Sequence, residues 1–123
     1  MRIIEVGDQN PDVTVQAIDE PGKYGASHLY HIDVVGGAPT SGGMTTAIHF
    51  QEGPVKEVGN NGITGEALVA IVVDRLKGFQ TSQCPCRENA IALTHLETAL
   101  MWMNQRTRTR SQKGVEGTSI NHE

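Results

Sequence analysis

The chain has 123 residues, with 10 Lys and Arg against 14 Asp and Glu for a formal net charge of −4, and only 4% of its residues are aromatic. That length and composition suit a single domain with a small core and an incentive to oligomerise. The acidic balance argues against binding long nucleic acids through a basic surface, no stretch reaches the ~18 apolar residues of a membrane span, and two cysteines make no disulfide framework.

The N-terminus, MRIIEVGDQN, has no long apolar run of the kind a signal peptide needs, so the cytoplasm is the expected setting. Residues 1–62 read as a β-rich region. Residues 2–6 and 12–18 are short and rich in Ile and Val, and a turn-prone Gly-Asp-Gln-Asn-Pro separates them. Residues 27–35 form the strongest predicted strand, with Tyr30, Ile32 and Val34 on one face and Leu29, His31 and Asp33 on the other. A Gly-rich segment, 36–43, leads into a fourth predicted strand at 44–51. It is expected either to cover a pocket as a lid or to lack fixed structure. Breaks at Gly and Pro suit an antiparallel meander or a small sandwich. Residues 51–63, QEGPVKEVGNNGI, read as a loop or short strand in which Asn61-Gly62 favours positive φ.

Residues 63–123 change to a helical period and form, with the β-region, one expected compact domain. Thr64 is a plausible N-cap. Leu68, Ile71, Val72 and Arg75-Leu76 then recur at spacings of three and four, giving an apolar face up to Phe79. A second helix is expected from Pro85, whose missing N–H suits a first turn, to about Arg110. At 1.5 Å per residue it is roughly 39 Å long, which exceeds its partner, so one end should project. Met101, Trp102 and Met103 in succession cannot all face one neighbour and imply a subunit interface. The fold class is therefore α+β, a small antiparallel β domain followed by a long antiparallel helical hairpin.

Catalytic and metal chemistry find little support. Neither GxSxG nor GxxxxGK[ST] occurs. His95 and Glu97, two apart on a helix, point in different directions, and His28 and His31 lie on opposite faces of a strand. Cys84 and Cys86 form one CxC pair without a matching second pair of ligands, so a small buried capping pair around Pro85 is the expectation rather than a zinc site.

Binding chemistry fares better. The bend GFQTSQCPCREN places an aromatic ring, a cation and a carboxamide close together. A purine stacks on an exposed aromatic face, and an Asn carboxamide matches the N6/N7 edge of adenine. Helix N-terminal amides, beside Arg87, favour anions. Phe79 and Asn89 would thus make a nucleotide pocket. Phe79 closing the hairpin core is the competing possibility, and the residues alone leave both open. Residues 1–60 hold eight acids against Arg2, Lys23 and Lys56, whereas Arg106, Arg108, Arg110 and Lys113 crowd one short segment. That local cluster suggests a small anionic ligand, or a solvated helix end complementing its dipole.

The passages FQEGPVKEVGNNGIT, EALVAIVVDRLKGFQ, CRENAIALTHLETALMWMNQRTRTR and KGVEGT resemble phage proteins of the Thoeris anti-defence 1 family, and the hairpin also resembles the anti-CBASS 2 proteins. The resemblance runs from Phe50 to Thr118. It implies a sponge that sequesters cyclic nucleotide immune signals without cleaving them and without a cofactor. The implied ligands are glycocyclic ADP-ribose isomers made by Thoeris TIR enzymes, with cyclic trinucleotides or dinucleotides of CBASS at a second site. It further implies homo-oligomers, dimers and hexamers. Phe79 and Asn89 match the family's base-stacking and base-contacting positions. Its basic helix end maps onto Arg106 and the residues after it, with Arg110 four further on. Lys56 is the implied contact to a pyrophosphate, and Arg87 takes a secondary phosphate or interface role. A structural or protein-binding hairpin with no nucleotide ligand is the alternative.

Overall fold

A computed structural model describes residues 1–7, 10–36 and 42–118. They form an α+β fold, a four-stranded antiparallel sheet followed by helices that include a long hairpin. The chain divides into two compact units. One comprises Met1–Glu52 with Asn61–Ile63, and the other Gly53–Asn60 with the chain from Thr64 onward.

In the first unit, β1 (Arg2–Ile4), β2 (Val13–Ala17), β3 (Leu29–Val34) and β4 (Met44–His49) lie in sequential order, each antiparallel to the next. Of the two expected arrangements the meander is the one formed. Its register lines up like with like. Ile4 opposes Val15, which opposes Ile32, while Ala17 opposes Tyr30, which opposes Ile48. One face therefore collects β-branched and aromatic side chains, whose cross-strand pairing is what stabilises a sheet. Gln16, His31 and Asp33 alternate onto the other face, where the Thr45 hydroxyl donates to Asp33 at 2.6 Å. Each strand is shorter than its apolar run, because the flanking residues turn away into loops. Residues 37–41, most of the Gly-rich segment for which a lid and a lack of fixed structure are the two expectations, lie outside the described residues.

The loop between β2 and β3 is closed by a carboxylate. Asp19 Oδ1 accepts from the Leu29 N–H at 3.0 Å, and both its oxygens accept from the His28 N–H at 2.9–3.0 Å. Nearby, the buried Ser27 hydroxyl donates to the Asp19 carbonyl and accepts from Arg2. The Leu29 and His28 amides hold the Asp19 carboxyl below its ordinary value of 3.8, outweighing the opposing effect of burial. A carboxyl depressed in the folded state stabilises the fold fully above its unfolded pKa and loses that contribution as the pH falls through its native one. Asp19→Asn should therefore lower the denaturant midpoint above pH ~5, with the gap to wild type narrowing as the solution is acidified below pH ~4. A gap that stays constant with pH would show that the carboxylate's charge is immaterial.

Residues 51–63 differ from expectation. Val55–Val58 form a short helix, α1, rather than a loop or strand. Positive φ falls at Gly53 and Gly59, not at Asn61-Gly62. Asn61 works through its side chain, accepting from the Glu52 N–H and donating to the Glu52 carbonyl, both at 2.7 Å. Gly62 is required for space, since a Cβ there would sit 2.4 Å from the Phe50 carbonyl carbon. This close approach lets Phe50 and Ile63 form a parallel bridge beside the end of β4.

The second unit is built on α2 (Gly65–Gln80) and α3 (Arg87–Gln112). The Thr64 hydroxyl caps α2 by accepting from the Ala67 N–H at 3.2 Å, as the sequence predicts. Their antiparallel register is fixed by Lys77 Nζ, 3.5 Å from Glu97 Oε2 near the bend, and by Gly65 at the far end, where an added Cβ would lie 3.0 Å from Met103 Cε. Among the described residues only Ala17 and Val73 are buried hydrophobics, and no large side chain is fully buried. Ile71, Met101 and Trp102 remain more than half exposed.

Candidate functional site

The bend between α2 and α3 is tied by side chains. Just past the end of α2, the Ser82 hydroxyl donates to the Phe79 carbonyl at 2.9 Å. Gln80 Oε1 reaches across and accepts from the Cys86 N–H at 3.1 Å. Cys86 then caps α3, its Sγ accepting from the Asn89 N–H at 3.4 Å. A thiol acts here as the Ser or Asn of an ordinary cap would. The helix accordingly begins at Arg87 and not in a first turn containing Pro85, which stands outside the extended Cys86. The cysteine pair expected to be buried is exposed at both positions, because a two-helix bend has nothing on its outer side to bury it.

Phe79 and Asn89 thus sit on either side of one bend, joined by the Gln80–Cys86 and Cys86–Asn89 bonds. Both are half-buried, and Arg87 beside them is exposed. The Arg75 guanidinium carbon lies 5.0 Å from the centroid of the Phe79 ring. Sequence reading counts Arg75 into the helical repeat that leads to Phe79 but gives it no role in binding. The signal was there, however, since residues four apart share a helix face. Chemically the bend offers a ring with a cation against it, a carboxamide, and the first-turn amides of a 26-residue helix.

The remaining basic residues gather at the other end of the hairpin. α3 has 26 residues against 16 in α2, and its overhang is engaged by its own chain. After Gln112 the backbone reverses at Gly114, whose φ is 72°. The Arg110 side chain is buried in this turn. Its Nε lies 3.2 Å from Glu116 Oε2, and one terminal nitrogen donates to the Val115 carbonyl at 3.0 Å and the Thr118 carbonyl at 2.9 Å. The Gly117 carbonyl accepts from the Lys56 N–H at 2.9 Å, and the Lys56 stem runs where a Cβ on Gly117 would sit. The tail KGVEGT therefore links α1 to the end of α3. Projection of this end onto another subunit was the sequence expectation, but the stretch around Arg110 already packs on its own tail.

Of the six residues singled out in the sequence, Phe79, Arg87 and Asn89 share the bend, while Lys56, Arg106 and Arg110 belong to the opposite end. Arg106 and Arg110 are four apart on α3 yet differ in state. Arg106 is exposed, and Arg110 is 5% exposed with its guanidinium held by the tail. Asn89 and Arg106 are separated by about 26 Å along the helix at its standard rise, so no compact ligand touches both within one chain. Glu116 and Gly117, which organise the basic end, were not distinguishable in the sequence from ordinary tail residues.

Residues 44–108 match the family model of the Acb2/Tad1 hairpin domain. Over 76 residues the chain is 55% identical to a protein of Bacillus phage SBSphiJ7 named Thoeris anti-defense 1. That alignment takes in 62% of this chain and 54% of the relative, so the chain spans about half the length of the curated relative it matches.

Proposed function

Because the chain belongs to the Acb2/Tad1 hairpin-domain family, we propose that it is an anti-defence protein that binds and sequesters cyclic ADP-ribose isomers made by Thoeris TIR enzymes in the cytoplasm of an infected host. The observation that carries this reading is the pairing of Phe79 with Asn89 across a bend held rigid by the Gln80 and Cys86 bonds. Adenine stacks on the ring, and the carboxamide reads its edge. Arg87 and the first-turn amides of α3 complement the phosphates.

The ligand is held and not cleaved. Binding groups surround the bend, and among the described residues no base is hydrogen-bonded to a nucleophile. The exposed Arg106, with no ion-pair partner among the described residues, is proposed for a second anionic site that takes cyclic trinucleotides or dinucleotides of CBASS systems. Lys56 lies at the same end, where the Gly117 contact fixes its stem. Arg110 serves that end from beneath by fastening the tail.

The exposed apolar side chains of α3 support assembly through antiparallel packing of two hairpins. The half-exposed Trp102 and Met101 supply apolar area for such a contact. We therefore propose a homo-oligomer of dimer units, closing into a hexamer.

The test is a recovery experiment. A TIR-produced cyclic ADP-ribose isomer and, separately, cyclic triadenylate are mixed with excess protein, and the free nucleotide is measured by chromatography before and after heat denaturation. Sequestration predicts that the nucleotide disappears and returns intact on heating. A product of altered mass would mean hydrolysis. Nucleotide that never disappears would leave a hairpin that binds other proteins through Trp102 and Met101.

A further inference from the structure

We propose that Arg75 is a positioning residue of the bend, holding one face of the Phe79 ring so that a single purine base stacks on the other. The inference rests on the reading of the bend as a nucleotide site. Arg75 lies one helical turn before Phe79, and its guanidinium carbon is 5.0 Å from the ring centroid, inside the ~6 Å range of cation–π attraction.

Among the described residues Arg75 has no carboxylate within ion-pair distance, whereas Lys77, the other cation of this stretch, is occupied by Glu97. An exposed Arg with a free choice of partners has settled on an aromatic face.

Two consequences for binding follow. The first is entropic. A half-buried ring at the end of a helix would otherwise sample several rotamers, and freezing it on binding would cost affinity. Arg75 applies that restraint before the ligand arrives. The second is electronic. A cation on one face draws the ring's electron density toward itself, so the opposite face repels the π cloud of an incoming base less. With one face covered, each hairpin offers one stacking surface and takes one base, rather than sandwiching the ring between two.

A double-mutant cycle tests this, with a TIR-produced cyclic ADP-ribose isomer as the probe and affinity measured by calorimetry for wild type, Arg75→Met, Phe79→Leu and the double variant. Arg75→Met keeps an apolar stem without the charge. It should weaken binding roughly three-fold with no change in melting temperature, and Arg75→Lys should recover most of the loss. In the Phe79→Leu background, Arg75→Met should have no further effect. In the free protein, the Arg75 δ-methylene protons should be shifted upfield by the ring in NMR spectra, and Phe79→Leu should abolish the shift. Equal affinities for wild type and Arg75→Met, or the same loss with and without the Phe79 ring, would overturn the inference while leaving the nucleotide site standing. Failure of wild type to bind the probe would overturn the reading of the bend, and this inference with it.

Discussion

Phe79→Ala is expected to lower affinity for a cyclic ADP-ribose isomer by about ten-fold or more. Stacking of a base on an aromatic ring contributes ~1–3 kcal/mol by alanine substitution, which corresponds to roughly five- to 150-fold in dissociation constant. The upper part of that range is the relevant one, because removal of the ring also deprives Arg75 of its partner, 5.0 Å away. Phe79 is half-buried, so its removal also loosens the hairpin end. Phe79→Leu separates the two effects. Leucine keeps most of the apolar volume but has no π face, so it should fold like wild type and bind almost as poorly as the alanine variant. Unchanged affinity in Phe79→Leu would mean that the ring only packs, and that any ligand is held elsewhere.

Arg110→Ala should cost about 2 kcal/mol of stability. A hydrogen bond to a charged group contributes ~1.5–3 kcal/mol, and the bonds of Arg110 to Glu116, Val115 and Thr118 share one guanidinium, so their contributions do not add. The lower part of the range applies because Glu116 is 38% exposed; once abandoned it finds water, which also screens the pair it leaves. For a unit of this size, 2 kcal/mol is about a 10 °C fall in melting temperature. Release of the tail should also speed tryptic cleavage after Lys113, which gives a readout specific to this end. Arg110→Lys should fall between the two, since one ammonium cannot reproduce a planar fork aimed at a carboxylate and two carbonyls. A melting temperature within 2 °C of wild type would mean that the tail bonds are incidental.

Local patterns carried the fold a long way. The strand alternation at Val13–Ala17 and Leu29–Val34, the Thr64 cap and the three-and-four spacing through α2 each reflect a short-range preference, and each is realised where the residues place it. The failures have a common physical source. Asn61 and Gly62 have turn-forming propensity, but the requirement they meet is a tertiary one, a backbone passing within touching distance of Phe50. Pro85 fits a first helical turn, yet the Gln80 carboxamide takes the Cys86 N–H and the helix starts two residues later, at Arg87. The candidate site divides in the same way. Phe79 and Asn89 stand out because a ring and a carboxamide are unusual at a bend. The burial of Arg110 does not, since guanidiniums four apart look alike until the partner, Glu116, is known to fold back on one of them. The role of Arg75 was missed for the opposite reason: in sequence it is one more cation on a helix, and only the ring above it gives it a role.

Most helices that begin in a bend are capped by an oxygen. Here the atom is sulfur, and it is exposed, so the bend carries a reactive handle next to the residue that would read the base. A dye attached through Cys86 would take away the acceptor of the Asn89 N–H and disturb what it was meant to report. Attached through Cys84 in a Cys86→Ser background, it would leave the cap in place, serine being a favoured residue there. Two thiols separated by one proline thus differ completely in their usefulness to spectroscopy, one as a reporter of occupancy and the other as a means of switching the site off.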